Sequence, residues 1–153
     1  MNIYRLTSGE YKKDLSGNGS RLFGGRWNSV GMHAVYCTEH ISLAVLEMLV
    51  HLKKFSQPHN YHLVTISIPD SIKPASIQLS RLKKNWKDDI SYSQFMGDAF
   101  LKQQPSLLLA VPSAIVEAEN NFIINPKHPD ISKIRISSAR LFEFDKRLLL
   151  RNE

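Results

Sequence analysis

The stretch AVYCTEHISLAVLEMLVHL, residues 34–52, decides the fold of this chain. Its first part, Ala34–Thr38, is apolar and predicts a core strand. A helix is predicted next, from about Glu39 to Lys54, because apolar residues recur three and four positions apart. The chain is therefore expected to combine a sheet with helices.

The predicted helix carries one carboxylate inside its apolar run. Between Ile41 and Leu52 the only polar residues are Ser42, Glu47 and His51, so the helix is expected to be buried on several sides. The main apolar stripe comprises Ile41, Ala44, Val45, Met48, Leu49 and Leu52, whereas Glu47 shares another face with Leu43, Val50 and Lys54. Because an unpaired buried glutamate costs several kcal/mol, Glu47 must either form a structural ion pair, for example with Arg26, or face a polar cleft.

The remaining segments extend this α+β pattern. Ile3–Leu6 predicts an opening strand, and residues 8–31, rich in Gly, Ser and Asn, predict a long binding loop anchored by its apolar side chains. Further strands are predicted at His62–Ile68, Ser106–Val111, Phe122–Ile124 and, as a closing pair, Lys133–Ile136 and Arg140–Phe144, with a second helix at Ser91–Gln104. We expect a single domain over residues 1–153 with about six to eight strands and two or three helices.

Length and composition limit the classes of protein to which the chain can belong. With 153 residues, 42% hydrophobic and 22% charged, it suits one packed core and has no low-complexity tract. No stretch approaches the roughly 18 apolar residues that cross a bilayer, and the first residues do not resemble a leader, so we expect no membrane contact and a cytoplasmic location. The formal charge of +6 favours an anionic partner, which a nucleotide, a nucleic acid or an acidic protein would satisfy.

The segment Gly24-Gly25-Arg26-Trp27-Asn28 is a candidate anion site. Two glycines would let backbone amides approach a pyrophosphate while the Arg26 guanidinium binds it in a fork. Trp27 and Asn28 add a stacking face and an amide beside the cation. The simpler alternative is a glycine turn followed by a surface arginine.

Two hydroxyl side chains complete the candidate site. Tyr36, on the predicted core strand, would stack on a flat ring, or would be only a packed aromatic with a satisfied hydroxyl. Ser113 follows a strand end, where it could face a cleft or cap a turn, and no Gly-x-Ser-x-Gly elbow surrounds it. Together with Arg26 and Glu47, these residues could hold a phosphate, stack on a ring and stabilise a developing positive charge.

Metal and nucleic-acid sites receive little support. The six histidines form no His-Glu-x-x-His motif, and one cysteine is too few for a zinc ribbon, so no metal is expected. Nor can a single cysteine form an internal disulfide, and we predict that Cys37 fills space on a buried strand. The basic cluster Arg81–Lys87, with Trp86 inside it, resembles a nucleic-acid patch, although a solvated basic turn explains it more simply.

The ordered set of these motifs resembles the RES domain family, the toxins of RES–Xre type II toxin–antitoxin pairs. The strings that carry the resemblance are Tyr4-Arg5, Gly24–Asn28, Val35-Tyr36, Leu46-Glu47, Val111–Ser113 and Asn121–Pro129. Each string is weak alone, but together they span nearly the whole chain in order. The resemblance implies an ADP-ribosyltransferase-like fold: two packed, mostly antiparallel sheets with flanking helices and a cleft for NAD.

The resemblance also implies roles for individual residues. The catalytic set would be Arg26, Tyr36, Glu47 and Ser113. Glu47 would hydrogen-bond the nicotinamide ribose and stabilise its oxocarbenium-like transition state, and Ser113 would line the same pocket. Residues implied to bind NAD are Arg5, Gly25, Arg26, Trp27, Asn28 and Tyr36, with Arg26 on the phosphates or ribose and Tyr36 against the nicotinamide.

The function implied is a toxin that cleaves the nicotinamide–ribose bond of NAD, by hydrolysis or phosphorolysis, and so arrests growth. One alternative is a mono-ADP-ribosyltransferase that modifies a target protein; others are a non-enzymatic basic interaction module and an inactive relative that only sequesters its antitoxin. The implied partner is an Xre-like helix-turn-helix antitoxin that binds DNA and blocks the cleft, so the toxin itself need not touch DNA. A homodimer within the toxin–antitoxin complex is consistent with the family.

Overall fold

The computed structural model describes residues 1–52 and 59–149, which contain seven strands and four α-helices. The strands are β1 (Asn2–Ser8), β2 (Val35–Thr38), β3 (Tyr61–Ser67), β4 (Ala75–Ser76), β5 (Leu108–Pro112), β6 (Asn120–Ile124) and β7 (Arg135–Leu141). The helices are α1 (Asn18–Phe23), α2 (Ile41–His51), α3 (Ile90–Gln103) and α4 (Lys146–Leu149), and short 3-10 turns lie at Gly9–Tyr11, Leu79–Arg81 and Pro129–Lys133. The sequence predicted that helix α2 ends at Lys54, which lies outside the described residues.

The seven strands form one sheet, in the order β4-β5-β6-β2-β1-β3-β7. All neighbours are antiparallel except the short β4, which runs parallel to β5. Two packed sheets were expected, and the described residues show one. One half of the sheet is β4-β5-β6-β2 and the other is β1-β3-β7. The halves meet at β1 and β2, which are joined by the single register pair Tyr4↔Thr38. A mixed α+β architecture is confirmed, but as a single sheet with a narrow central junction.

Side chains from the two faces of the sheet enter different apolar clusters. One face contributes to a cluster that spans both halves and includes Ile3, Val35, Val64 and Phe122. On the opposite face the apolar residues divide into two clusters. One lies with α3 and contains Trp27, Trp86 and Ile123, and the other lies with α2 and contains Leu6, Ala44 and Leu63. The space between these two clusters, beside the junction of β1 and β2, is where a cleft can open.

Helix α2 is less buried than its apolar sequence predicts. Only Leu43 and Ala44 are fully buried, whereas Leu46 and Val50 are exposed. The expectation of burial on several sides is therefore wrong, because α2 lies against one face of the sheet and its outer side meets solvent. Neighbouring apolar side chains that are exposed together can mark an interaction site.

Two other segments differ from their predictions. The closing pair of strands is one continuous strand, β7, which pairs along its length with β3, and a register shift at Thr65/Ile66 accommodates it. The long loop at residues 8–31 contains the short helix α1 and a bridge between Gly25 and Asn28. The ladder between β7 and β3 joins residues distant in sequence, which local periodicity does not report.

Helix α3 begins where its sequence indicates. The Asp89 side chain caps the helix by accepting a hydrogen bond from the Tyr92 amide at 2.9 Å. The helix ends at Gln104, whose left-handed backbone (φ 53°) precedes Pro105. Among the helices in the described part of the chain, none is long and apolar enough to cross a membrane.

Candidate active site

A cleft with two lobes lies between α2, the loop before β2 and the centre of the sheet. The larger lobe, the Arg26 lobe, has a volume of about 550 Å³ and is lined by residues that include Gly25, Arg26 and Gln94. The smaller, the Arg5 lobe, measures about 290 Å³ and is lined by residues that include Arg5, Asp14 and Met48. The residues that line both lobes are Ser20, Tyr36, Glu47, His51 and Asn121. The cleft thus places one cation in each lobe and the Glu47 carboxylate between them.

The Glu47 carboxylate is held by two neutral donors. Its Oε1 accepts hydrogen bonds from the Ser113 hydroxyl at 3.0 Å and from Asn121 Nδ2 at 2.5 Å. The ion pair with Arg26 that would have made Glu47 purely structural is not formed, and no cation within residues 1–52 and 59–149 forms a salt bridge with it. Since α2 exposes Glu47 to both lobes, the second reading of the sequence, a carboxylate facing a polar cleft, is the one that the structure supports.

Ser113 supports Glu47 from behind and does not line the cleft. It is fully buried at the end of β5, and its Oγ accepts hydrogen bonds from the amides of Ile115 and Val116 at 3.0 and 3.1 Å. With both acceptor positions taken, its hydroxyl proton is directed at the carboxylate. The expectation that Ser113 lines the pocket is corrected: it is both a turn cap, as the alternative proposed, and a support for Glu47.

Tyr36 connects the cleft to the loop before β2. Its hydroxyl donates to Asn28 Oδ1 at 2.7 Å and accepts from the Trp27 amide at 2.9 Å. Burial raises the pKa of Tyr36 well above its ordinary value, against the lowering effect of the Trp27 amide, so the phenol stays neutral. The hydroxyl is thus occupied in fixing the loop, and the ring lines both lobes.

The two glycines serve the loop and not an anion. Gly24 and Gly25 donate their amides to Ser20 O at 2.8 Å and Asn28 O at 2.9 Å, so neither amide is available for a phosphate in the way that was expected. Gly24 has a positive φ of 71°, and a Cβ on Gly25 would lie 2.7 Å from the Tyr36 hydroxyl. The glycines are required because the loop turns sharply against Tyr36.

Arg26 is anchored to the wall of its lobe. Its Nη1 donates to Lys87 O at 2.8 Å, and its guanidinium carbon lies 5.6 Å from the centre of the Trp86 ring. A guanidinium has five N–H donors, so one anchoring bond leaves the others for a ligand. Trp86 and Lys87 thus fix the position of the cation from a segment 60 residues further along the chain.

Trp27 and Asn28 do not present the stacking face and the amide that were expected. Trp27 is in the core, where its ring lies 5.7 Å from the Trp86 ring at an angle of 36°. Asn28 is fully buried, and its Nδ2 donates to Ser20 O and Met32 O at 3.0 Å each. Their polar and aromatic groups are already used inside the loop, so both residues shape the site without offering a free group to it.

Helix α3 clamps this loop from the other side. Gln94 Nε2 donates to Gly25 O at 2.9 Å and to Asn28 O at 3.2 Å, and Asp98 Oδ1 accepts from the Ser29 amide at 2.9 Å. Between them, Gly97 allows close approach, because a Cβ there would lie 1.8 Å from the Trp27 carbonyl oxygen. These three positions, which lie within about one turn of α3, were not identified from the sequence.

The Arg5 lobe combines a charged and an apolar wall. Arg5, on β1, donates Nη1 to Asp14 O at 2.8 Å. Although burial acts to raise it, hydrogen bonds from Ser16 and the charge of Arg5 hold the pKa of Asp14 below its ordinary value. Cys37 lies on β2, fully buried as predicted, and burial raises the pKa of its thiol to about 12. The lobe lies where β1 and β2 separate beyond their single register pair.

The model of the RES domain matches residues 2–145. This chain belongs to the RES domain family. Over 141 residues it is 38% identical to the Prs ADP-ribosylating toxin of Sphingobium sp. (strain YBL2), covering 89% of this chain and 87% of that protein. It is 37% identical to the Toxin Res of Photorhabdus laumondii over 153 residues, with 97% of each chain covered.

The RES domain also has a structural neighbour. It superposes on a chain of the crystal structure of the M. tuberculosis MbcT–MbcA toxin–antitoxin complex with a TM-score of 0.75 and 21% sequence identity. The match covers 92% of this chain and 83% of that one. At this identity the likeness shows a shared fold.

The RES domain of this chain contains functional candidates that sequence reasoning missed. Asn121 lines both lobes and donates to Glu47, although the sequence marked it only as the start of a motif. His51 lines both lobes one helical turn after Glu47, a spacing visible in the sequence. Gln94 had no distinguishing signal.

The two weaker readings of the sequence gain no support from the structure. In the Arg81–Lys87 cluster, Trp86 is only 2% exposed, Lys83 forms a salt bridge with Asp89, and Lys87 forms one with Glu117 at 2.7 Å. A nucleic-acid patch would expose its aromatic side chain. Within the described ranges, no group of three or more His, Cys, Asp or Glu residues is placed to hold a metal ion.

Proposed function

We propose that this RES domain cleaves the nicotinamide–ribose bond of NAD in the two-lobed cleft. The observation that carries the proposal is the Glu47 carboxylate, oriented by Ser113 and Asn121 at the junction of two lobes that each contain an arginine. Because neutral donors orient this carboxylate, no neighbouring cation offsets its negative charge, and that charge can stabilise a cation that develops in the cleft. An ADP-ribosyltransferase-like fold is part of the same proposal.

Binding of NAD is assigned to the walls around Glu47. Arg26, with most of its donors unused by its bond to Lys87 O, would bind the pyrophosphate. The Tyr36 ring would stack on the nicotinamide, since its hydroxyl is already fixed to the loop. Arg5 would contact the dinucleotide from the second lobe. Binding energy from these remote contacts would orient the scissile bond at Glu47.

The reaction follows from the charge on the ribose. As the bond between C1′ and the nicotinamide nitrogen breaks, its electron pair moves to that nitrogen and neutral nicotinamide leaves. The ribose becomes oxocarbenium-like, and Glu47 stabilises this transition state more than it stabilises the neutral ribose. An acceptor oxygen from water or phosphate then bonds to C1′, and an acceptor hydroxyl loses its proton.

We further propose that the chain is the toxin of a bacterial toxin–antitoxin pair and acts by depleting NAD. Relatives named Toxin Res at 36–37% identity, and the fold shared with a chain of a toxin–antitoxin complex, support this role. The exposed apolar side chains at the mouth of the Arg26 lobe, Phe23 at 84% and Val50 at 63%, suit coverage by an antitoxin of the Xre-like helix-turn-helix type.

A second candidate is transfer of ADP-ribose to a target protein. It is favoured by the Sphingobium relative, whose name describes it as ADP-ribosylating. The same apolar mouth around Phe23 and Val50 could contact a protein acceptor. By contrast, a basic interaction module is disfavoured because Trp86 is buried and Glu47 faces the cleft instead of a cation.

The test is nicotinamide release from NAD by the purified protein, free of antitoxin, with and without phosphate. Glu47→Gln keeps the side-chain volume and removes the charge, so release should fall about 100-fold or more. Glu39→Gln is the matched control, because Glu39 also accepts from an asparagine, Asn120, but lies outside the cleft. Absence of release from folded wild-type protein under every condition would rule out hydrolysis and phosphorolysis, and labelled NAD with cell extract would then test transfer to protein.

A further inference from the structure

His51 occupies a position in the cleft that the proposed reaction has not yet used. It ends α2, one turn after Glu47, and both residues line both lobes. Its imidazole has no hydrogen-bond or ion-pair partner within residues 1–52 and 59–149. His33, His40 and His128 each have one, with Ser16 O, Glu119 and the Asp130 amide respectively. His51 is also exposed, so its ring is available to a ligand.

Glu47 is poorly suited to a second task in the same step. Its charge has to persist while the ribose is cationic, and one of its oxygens already accepts two hydrogen bonds. If Glu47 accepted the proton of an attacking water, it would lose the charge that stabilises C1′. Sites that need both functions commonly divide them between two titratable groups.

The other residues shared by the two lobes cannot accept a proton readily. The Tyr36 hydroxyl is engaged with Asn28 and Trp27, and Ser20 and Asn121 have no basic group near neutral pH. Imidazole is the side chain that most often exchanges a proton in this range.

We propose that His51 is the proton acceptor for the hydroxyl that attacks C1′. The proposal rests on the NAD cleavage proposed above. As the water oxygen bonds to C1′ and nicotinamide leaves with the electron pair of the broken bond, one water proton passes to an imidazole nitrogen of His51 and then to solvent. Among residues 1–52 and 59–149, the other titratable and charged groups that line the cleft are Tyr4, Arg5, Asp14, Arg26, Tyr36, Cys37 and Glu47.

The proposal separates two reactions of the same enzyme. Water must lose a proton as it attacks, whereas phosphate dianion presents an oxygen that carries none. His51→Gln should therefore lower NAD hydrolysis about 100-fold while KM for NAD is unchanged, and phosphorolysis should be largely retained. The pH dependence that a general base imposes on hydrolysis should also disappear in the variant.

His40→Gln is the matched control, since His40 lies at the opposite end of α2, outside both lobes, and should leave both reactions unchanged. Equal loss of hydrolysis and phosphorolysis in His51→Gln, or no loss at all, would overturn the proposal while NAD cleavage stands. The proposal would also be overturned if the wild-type enzyme released nicotinamide only in the presence of phosphate. If the wild type releases none under any condition, the proposed function itself fails.

Discussion

Ser113 donates its hydroxyl hydrogen bond to Glu47 Oε1 at 3.0 Å, across 66 positions of sequence. Ser113 Oγ also caps the turn after β5, because it accepts hydrogen bonds from the Ile115 and Val116 amides. One buried side chain thus couples the shape of a turn to the orientation of the proposed catalytic carboxylate.

Ser113→Ala should affect both the reaction and stability. Loss of one donor to Glu47 should lower kcat for nicotinamide release about 10-fold, which corresponds to about 1.4 kcal/mol for one hydrogen bond. The two amides left without an acceptor should lower the free energy of unfolding by about 1–3 kcal/mol. Kinetics and urea denaturation measure the two effects.

Ser106→Ala is the control for this variant, because Ser106 Oγ also accepts a local amide, from Leu108, but lies away from the cleft. It should reduce stability slightly and leave kcat unchanged. A Ser113→Ala enzyme with wild-type kcat would show that the hydrogen bond to Glu47 has no kinetic role.

Two adjacent asparagines provide a second test. Asn121 donates to Glu47 inside the cleft, and Asn120 donates to Glu39 on the surface at 2.9 Å. Asn121→Ala should lower kcat for nicotinamide release about 10- to 100-fold, because the carboxylate loses its shortest hydrogen bond. Asn120→Ala should keep wild-type kinetics. Similar rates in the two variants would mean that Asn121 does not orient Glu47.

Gly97 should tolerate no side chain. Since a Cβ would lie 1.8 Å from the Trp27 carbonyl oxygen, Gly97→Ala must move α3 away from the loop that carries Arg26. We expect a loss of about 1–3 kcal/mol in the free energy of unfolding, together with weaker binding of NAD. Gly19→Ala is the control in thermal denaturation, because nothing lies within 4 Å of its Cβ position. Equal melting temperatures would contradict the close contact.

Cys37 should be chemically inert in the folded protein. Burial raises the pKa of its thiol to about 12, although the charge of Arg5 acts in the opposite direction. At pH 8 the thiolate population should be roughly 1,000-fold below that of an ordinary thiol, so iodoacetamide should label the native protein very slowly and the urea-unfolded chain readily. Mass spectrometry measures both rates, and rapid native labelling would show that the Arg5 lobe exposes the sulfur.

Much of the fold could be predicted because helices and strands leave local periodic patterns. The apolar runs of β2, β3, β5 and β6 and the residue spacing in α2 and α3 identified these elements within a few residues. The prediction of two closing strands was wrong, because the extent of β7 is set by its hydrogen-bonded ladder to β3 and not by the local sequence pattern. The proposed roles of Arg5, Arg26, Tyr36 and Glu47 stay predictions until they are tested by substitution.

The sequence by itself determined most of the main strands and helices, the RES motif set and the problem of a carboxylate within an apolar helix, because residue type and spacing are local properties. Only the tertiary structure decided what surrounds each group. It placed neutral Ser113 and Asn121 on Glu47, occupied the glycine amides and buried Trp27 against Trp86. The contacts on Glu47 and between the two tryptophans join residues 59 to 74 positions apart, so they depend on how the strands are ordered in the sheet, whereas the glycine amides close a tight loop.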